Sequence, residues 1–299
     1  MATFDVCALG CVCWDFVTQV AQFPDADAKV RLTELRQMGG GLSGTAMAAV
    51  AALGGRAAIF GRIGDDDFGR LIREGFAREG VDTTGLEVVA GHSSQFAFCV
   101  AEAGTGHRAI FYLPGTYRRL GPGEVDLAAL CDCRCLLVDH HHLGAAIEAA
   151  RYARERGLPV VADIERDQPG AADFLAAVSH PIMPAAFLRS YTGHEDLPAA
   201  AAEVLALGPQ MVIATQGQRG ATAFTPAGAV HQPAFPVTPL VDTTGAGDVF
   251  HGAFAYGLAL GYELERNLAF SAAAAALSCR GQGGRGALPR REDVEALLT

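Results

Sequence analysis

The residues best suited to chemistry lie in one run, Asp242-Thr243-Thr244-Gly245-Ala246-Gly247-Asp248. A glycine-rich loop here leads straight into residues 249–260, which are apolar on nearly every side and, as a helix, would be buried. The unpaired N–H groups of a helix's first turn and the positive end of its dipole attract an anion. Gly245-Ala246-Gly247 sits where that anion would bind, and small residues let it approach the backbone closely. Asp248 then has two readings. It is a first-turn carboxylate complementing the dipole, or a catalytic base beside a bound phosphate, and the run by itself leaves both open.

Further groups fall where strands should end, and in an open parallel sheet ligands bind at those ends. Asp15 follows the first apolar run, and Gly39-Gly40-Gly41 precedes an Ala-rich segment. Asp139-His140-His141-His142 follows the run ending at Val138, and Asp163 ends the next. Thr215-Gln216-Gly217-Gln218-Arg219-Gly220 follows another. Consecutive histidines alternate sides of a strand, so the three cannot share one metal. His141 or His142 is expected to line a substrate pocket, as a cationic imidazole. His251, three residues after Asp248, would share its helix face, either as a packed histidine or near phosphates. Arg108, Arg118 and Arg119 read as solvated charges, one of them available to clamp an anion.

The elements that must position these groups follow an alternating pattern. Residues 4–10 read as a buried strand ending in glycine. Residues 14–20 and 29–38 alternate polar and apolar, as exposed strands outside the main core, and Gly39-Gly40-Gly41 breaks the pattern. A helix over 43–53, a strand over 57–60 and a helix over 68–79 closed by Gly80 come next. Residues 94–102 and 108–113 form a hairpin around Gly104-Thr105-Gly106. Strands over 135–138, 159–163 and 211–215 alternate with helices over 144–156, 171–178 and 197–207, before a late hairpin over 221–235. Short apolar strands separated by helices mean a mostly parallel sheet covered on both faces. The chain is read as one α/β domain, residues 1–299, with a small β excursion from about 12–38 and 93–119.

Half of the 299 residues are hydrophobic and 19% are charged, as in a soluble globular protein. Lys plus Arg number 23 against 33 Asp plus Glu, a net charge of −10, which excludes a surface built for nucleic acid. An anionic substrate must be met by local groups. No apolar run reaches membrane-spanning length, and the first residues lack a basic segment followed by an apolar one, so a cytoplasmic protein is expected. Cys7, Cys11, Cys13 and Cys131, Cys133, Cys135 alternate along apolar stretches, which places each set on one strand face as buried thiols rather than metal ligands.

Taken in order, these motifs resemble the ribokinase/PfkB family of carbohydrate kinases over nearly the full chain. Asp242-Thr243-Thr244-Gly245-Ala246-Gly247-Asp248 is similar to the family's C-terminal signature. Supporting matches are Gly39-Gly40 with the Ala-rich helix ending Leu53-Gly54-Gly55, residues 61–69, and Gly80-Val81-Asp82-Thr83-Thr84. Thr215-x-Gly217-x-x-Gly220 and a tail from Ala272 through Pro289 complete the series. The resemblance implies a ribokinase-like three-layer α/β/α core with a small β-sheet lid, and ATP with Mg2+ as phosphoryl donor. It makes Asp248 the base, with Gly245, Ala246 and Gly247 supplying N–H groups to the transferred phosphoryl. Asp15, Gly40 and Gly41 become sugar-facing. Thr215, Gly217, Gly220, Thr244, Gly247, Ala272 and Ala276 become ATP-binding. A monovalent cation near Asp242 and Thr244, and a homodimer through the lid, follow from the same resemblance.

Two departures stand out. The family usually carries Asn where this chain has Gly44, and Asn-x-x-Glu where it has Pro184-Ala185-Ala186-Phe187-Leu188. Divalent metal would then fall to the phosphates and other groups, Asp163 or Glu165 among them. Within the family the chain is similar to the sulfofructose kinase-like subgroup, through Ser93-Ser94-Gln95 and Gly247-Asp248-Val249-Phe250-His251-Gly252 among others. That likeness adds Lys29, Gln95, Tyr112 and His141 to the substrate set, with Tyr112 and His141 standing where the subgroup has an asparagine and a sulfonate-binding arginine. A ketose or ketose derivative is the expected acceptor. Two alternatives remain: a nucleoside kinase with Trp14 and Phe111 as a stacking wall, and a non-catalytic nucleotide or sugar sensor.

Overall fold

Runs of Val, Ile, Leu and Ala without polar alternation build a sheet covered on both faces. In the computed structural model, which describes residues 2–103 and 108–299, β1 (Phe4–Leu9) leads into lid strands β2 (Cys13–Val20) and β3 (Arg36–Gly40). Then come α1 (Leu42–Ala52), β4 (Ala57–Gly64), α2 (Asp67–Glu79) and β5 (Leu86–Val89). The chain returns to the lid with β6 (Phe96–Glu102) and β7 (Arg108–Leu113). After the short α3 (Leu127–Leu130) it alternates through β8 (Cys133–Asp139), α4 (Leu143–Glu155), β9 (Val160–Asp163), α5 (Ala171–Ala177) and β10 (His180–Pro184). Helices α6 (Ala185–Thr192) and α7 (Leu197–Leu205) precede β11 (Val212–Thr215) and the hairpin of β12 (Ala221–Thr225) and β13 (Gly228–Gln232). The chain closes with α8 (Ala246–Ala259), α9 (Leu264–Ser278) and α10 (Arg291–Leu298).

The large sheet has nine strands in the order β13-β12-β11-β10-β9-β8-β1-β4-β5, parallel except where β12 and β13 close one edge. From β1 the strands run outward through β4 and β5 on one side and through β8 to β11 on the other. The reversal falls at the β1–β8 boundary, where a crevice opens at the carboxyl ends. One face packs Val6, Ala8 and Leu137 against α1, α8 and α9, and the other packs Leu9, Leu136 and Val138 against α4 to α7. The lid is a separate sheet, β3-β2-β6-β7. Phe16 and Phe96 of the lid meet Phe68 of α2, with ring centroids 5.8 and 5.2 Å away.

One buried carboxylate fixes the crevice. Asp139, fully buried at the end of β8, accepts on Oδ2 from Cys11 N (2.7 Å), Ser43 N (3.2 Å) and Ser43 Oγ (2.7 Å). Its Oδ1 accepts from His141 N at 2.8 Å. Burial works against this charge, yet the His140 and His141 rings and the hydrogen bonds from Ser43 and Cys11 outweigh it and hold the carboxyl below the usual range.

Several expectations need correction. Gly39 and Gly40 continue β3 instead of breaking it, and residues 29–35 form no strand. β2 is mostly buried, because one of its faces rests on α2. β5, β10 and α6 went unread; β10 carries Pro181 and Pro184, which read as breakers, yet its flanks pair with β9 and β11. Neither cysteine set lies on one strand face. Cys7, Cys11 and Cys13 span β1, a loop and β2, Cys131 ends α3, and Cys133 and Cys135 pack into different core clusters. The expected turn at Gly104-Thr105-Gly106 lies outside the described residues. Asp139→Ala would leave all four donors buried without a partner, and should lower the unfolding free energy by about 3–5 kcal/mol in a denaturant titration.

Candidate active site

The anion-binding loop is held from below. Asp242 Oδ1 accepts from Thr244 N (2.9 Å), and its Oδ2 accepts from Gly283 N (2.8 Å). Val241 N donates to Cys279 O at the end of α9 (2.8 Å). Gly245 then caps α8 in the left-handed region, with φ of 75°, and a Cβ there would stand 2.5 Å from Gly284 Cα. Glycine is needed at this position on both counts. The helix begins at Ala246, so Ala246 and Gly247 belong to its first turn rather than preceding it, and Asp248 is the expected first-turn carboxylate. A Cβ on Gly247 would meet nothing within 4 Å: the space over this residue is open.

Asp248 is half-buried on the edge of that space. Burial pushes its carboxyl well above the ordinary range, and the charges of Asp163, Glu165 and Asp15 push the same way, while Arg108 opposes them. Asp163 ends β9, directly across from Asp139, and is pushed up to about 7, first by burial. His251 links the two elements. Its Nδ1 lies 2.7 Å from Gly247 O, and its Nε2 lies 3.2 Å from Ile182 O and 3.5 Å from Asp163 Oδ1. Both ring nitrogens therefore face acceptors, and the ring tethers the first turn of α8 to the ends of β9 and β10. This is the packed-histidine reading of His251.

On the acceptor side the lid aligns Met38, Asp15, Ala97 and Tyr112 in one row across its four strands. Residues paired this way share a face, so Tyr112 lies on the face of Asp15, two strands away. Asp15 is buried, and burial raises its carboxyl, against the Cys13 thiol that donates to Oδ1 at 2.8 Å and the charge of Arg285. Gly40 pairs with Cys13, and Gly41, with φ of 88°, turns into α1. Gln95 Nε2 donates to Cys11 Sγ at 3.3 Å, beside the amide bonded to Asp139.

His141 follows Asp139 and is 5% exposed, with its Nε2 unpartnered in the protein. Burial first, and Arg119 with it, pushes this imidazole down to about 4, so at neutral pH it offers a hydrogen bond and not the positive charge expected from the sequence. Lys29 lies exposed in the segment between β2 and β3 and is not drawn into the site. Trp14 and Phe111 lie on the opposite lid face from Asp15, and Trp14 Nε1 donates to Gln37 Oε1 at 3.1 Å. The proposed stacking wall is therefore absent from the acceptor face.

The residues expected on the nucleotide side lie after β11, before α8 and on α9. Half-buried Thr215 ends β11, and a tight turn over Gly217–Arg219 follows, closed by Gln216 N donating to Gly220 O at 2.8 Å. A Cβ on Gly220 would lie 2.0 Å from Gln232 O of β13. Thr244 is buried below the loop; on α9, Ala272 packs into the core and half-buried Ala276 keeps surface.

Two arginines were underread. Arg108, taken as a solvated charge, reaches from the lid to donate to Thr243 Oγ1 at 3.3 Å. Arg285, in the tail, donates to Gly40 O at 3.0 Å. The signal for Arg285 was the cluster Gly39, Gly40 and Gly44, which leaves room for a large neighbour.

Among the described residues no three His, Cys, Asp or Glu side chains converge to cage a metal. The residues around Asp248 are instead hard carboxylate donors, Asp163 and Glu165. That set suits Mg2+, which keeps waters and phosphate oxygens and takes only one or two carboxylates.

Comparison with known proteins agrees with this geometry. The family model described as pfkB family carbohydrate kinase matches residues 3–291. The chain is 31% identical to an ATP-dependent ribose-1-phosphate kinase of Halopiger xanaduensis, over 98% of each chain. It is 28% identical to ribokinase of Bacillus subtilis, over 99% of each. The structure of Arabidopsis thaliana ribokinase complexed with ribose and ATP superposes with a TM-score of 0.88 at 26% identity, covering 100% of this chain and 99% of that one.

The raised proton affinity of Asp163 sets a pH dependence. Its folded-state pKa of about 7 lies above the ordinary 3.8, so its contribution to stability is full below the lower value and is lost as pH rises through the higher. Asp163→Asn removes that loss. Without nucleotide or divalent metal, its melting temperature should exceed the wild type's by several degrees more at pH 8 than at pH 5, in paired thermal scans. An equal difference at both pH values would contradict the assignment.

Proposed function

The chain belongs to the pfkB family of carbohydrate kinases, and from that premise we propose that it transfers the γ-phosphoryl group of ATP to a primary hydroxyl of a ketose or ketose derivative. The observation that carries this reading is Asp248 in the first turn of α8, beside the open space over Gly247.

The acceptor docks between lid and sheet. Asp15 and the N–H groups of Gly40 and Gly41 take its hydroxyls, with Gln95, Tyr112 and the neutral His141 ring around it. Asp248 accepts the proton of the attacking hydroxyl as oxygen approaches the γ-phosphorus in line with the departing ADP oxygen. Once ionised, a carboxylate with raised proton affinity is a stronger base than a surface one. Charge spreading onto the phosphoryl oxygens meets the N–H groups of the Gly245-Ala246-Gly247 turn and the dipole of α8. Thr215, Gly217, Gly220, Thr244 and Ala276 flank the nucleotide. Mg2+, held by phosphate oxygens with Asp163 and Glu165, would neutralise phosphate charge. For a monovalent cation the support is Asp242, buried and without a cationic partner among the described residues. For a dimer through the lid it is β7, an edge strand with Ile110, Phe111, Tyr112 and Leu113 exposed.

A phosphorylated pentose is the second reading, favoured by the 31% identity to a ribose-1-phosphate kinase. A screen of ADP release over ketoses, pentose phosphates, sulfosugars and nucleosides separates the two. Asp248→Asn should keep ATP binding without lowering the melting temperature, while turnover falls about 10²–10⁴-fold. Wild-type turnover in that variant would sink the mechanism, and ligand-induced stabilisation without ADP release by the native protein would make it a sensor.

A further inference from the structure

The guanidinium of Arg285 lies where a charge is expensive to keep. Its side chain is 2% exposed, and its Nε–H is buried with no partner. Nη1 donates to Glu79 Oε2 at 2.7 Å, Nη2 donates to Gly40 O at 3.0 Å, and the group stands 4.7 Å over the ring of Phe76. A buried ion pair with an unsatisfied donor adds little or nothing to stability compared with apolar packing. Stability alone does not explain why an arginine sits here.

The surroundings are shaped to admit it. A Cβ on Gly39 would lie 2.4 Å from Nη1, and one on Gly44 would lie 2.8 Å from Nη2. A Cβ on Gly40 would lie 2.0 Å from Asp15 Oδ2. Two bare glycines thus let the guanidinium under the acceptor loop, and a third lets the loop lie against Asp15. The neighbours of Arg285 in sequence reach the other half of the site: Gly283 N is bonded to Asp242, and Gly284 Cα fills the space beside Gly245.

We propose that Arg285 is the positioning residue for the acceptor, holding the 39–41 loop and the Asp15 carboxylate where the sugar docks and tying that loop, through Gly283 and Gly284, to the phosphoryl-binding turn of α8. The assignment rests on the acceptor site proposed above. Arg285 touches neither substrate nor reacting atoms; it acts through Gly40 and Asp15. The planar fork matters as much as the charge, because one ammonium cannot bridge Glu79 and the Gly40 carbonyl in the same way.

The test uses the full-length protein with whichever acceptor the ADP-release screen returns, D-ribose and D-fructose being tried first. Arg285→Ala should raise the acceptor KM by up to about 10²-fold, with the ATP KM changing less than about threefold. Arg285→Lys should recover only part of the loss. Gly44→Ala crowds Nη2 without removing the charge, and should raise the acceptor KM in the native background and have no further effect beside Arg285→Ala. Equal rises in both KM values, or an unchanged acceptor KM in folded Arg285→Ala or Gly44→Ala, would overturn the proposal.

A second readout needs no turnover. Backbone amide exchange in the sugar-free protein should quicken over 39–41 and 242–245 in Arg285→Lys and Gly44→Ala, and stay unchanged over β9 and β10. Unchanged exchange in the two loops overturns the proposal even if no sugar is a substrate. Absence of ADP release by the native protein sinks the kinase reading alone.

Discussion

Burying the Asp139 carboxylate without water requires donors from three separate places in the chain, and this constraint shapes the crevice. An unpartnered charge at that depth would cost several kcal/mol. Oδ2 is satisfied only when the end of β1 and the start of α1 both arrive at the end of β8. Those three termini carry what the acceptor side needs: the turn from Cys11 to Asp15, the glycine loop before α1, and His141. The approach is close enough that a Cβ on Gly10 would lie 2.1 Å from both Asp139 Oδ2 and Ser43 Oγ. Much of the crevice's shape is thus a consequence of satisfying one charge.

Three carboxylates, Asp139, Asp163 and Asp248, come from distant parts of the chain, and the fold treats them differently. Asp139 is surrounded by donors and stays ionised. Asp163 and Asp248 lack such a set of donors and are pushed toward their neutral forms by burial and by neighbouring carboxylates, Glu165 among them. The start of α8 presents backbone N–H groups, which attract anions, in a protein whose overall charge of −10 repels them. Arg108, reaching Thr243 from the lid, brings a cationic side chain to the phosphoryl end. Burial, and then the charges of Asp163, Glu165 and Asp15, raise the proton affinity of Asp248.

Where sequence and structure part, the cause is an interaction between segments far apart in the chain. His141 was expected to be cationic because an isolated imidazole titrates near neutrality; burial behind Asp139 removes the charge. Trp14 and Phe111 lie on strands that were recognised, but strand parity turns them away from Asp15. The alternation over 29–35 suggested a strand, yet pairing with β2 begins only at Arg36. β10 was hidden by its prolines and is held by neighbours on both sides.

The sequence by itself determined the alternation of strand and helix, the glycine-rich helix start and the position of Asp248 within it. These depend on spacing within a few residues, and local chemistry is written there. The family likeness followed because five such local patterns occur in a fixed order. Only the tertiary structure decided which carboxylates are charged, which lid face looks inward, and that Arg285 lies beneath Gly40, 245 residues earlier in the chain. Desolvation, strand parity across a sheet and the space left by a missing Cβ are properties of neighbours in three dimensions. In the Asp242–Asp248 run, spacing within a few residues supplied the carboxylate and the helix start; burial and the charges packed around Asp248 raised its proton affinity.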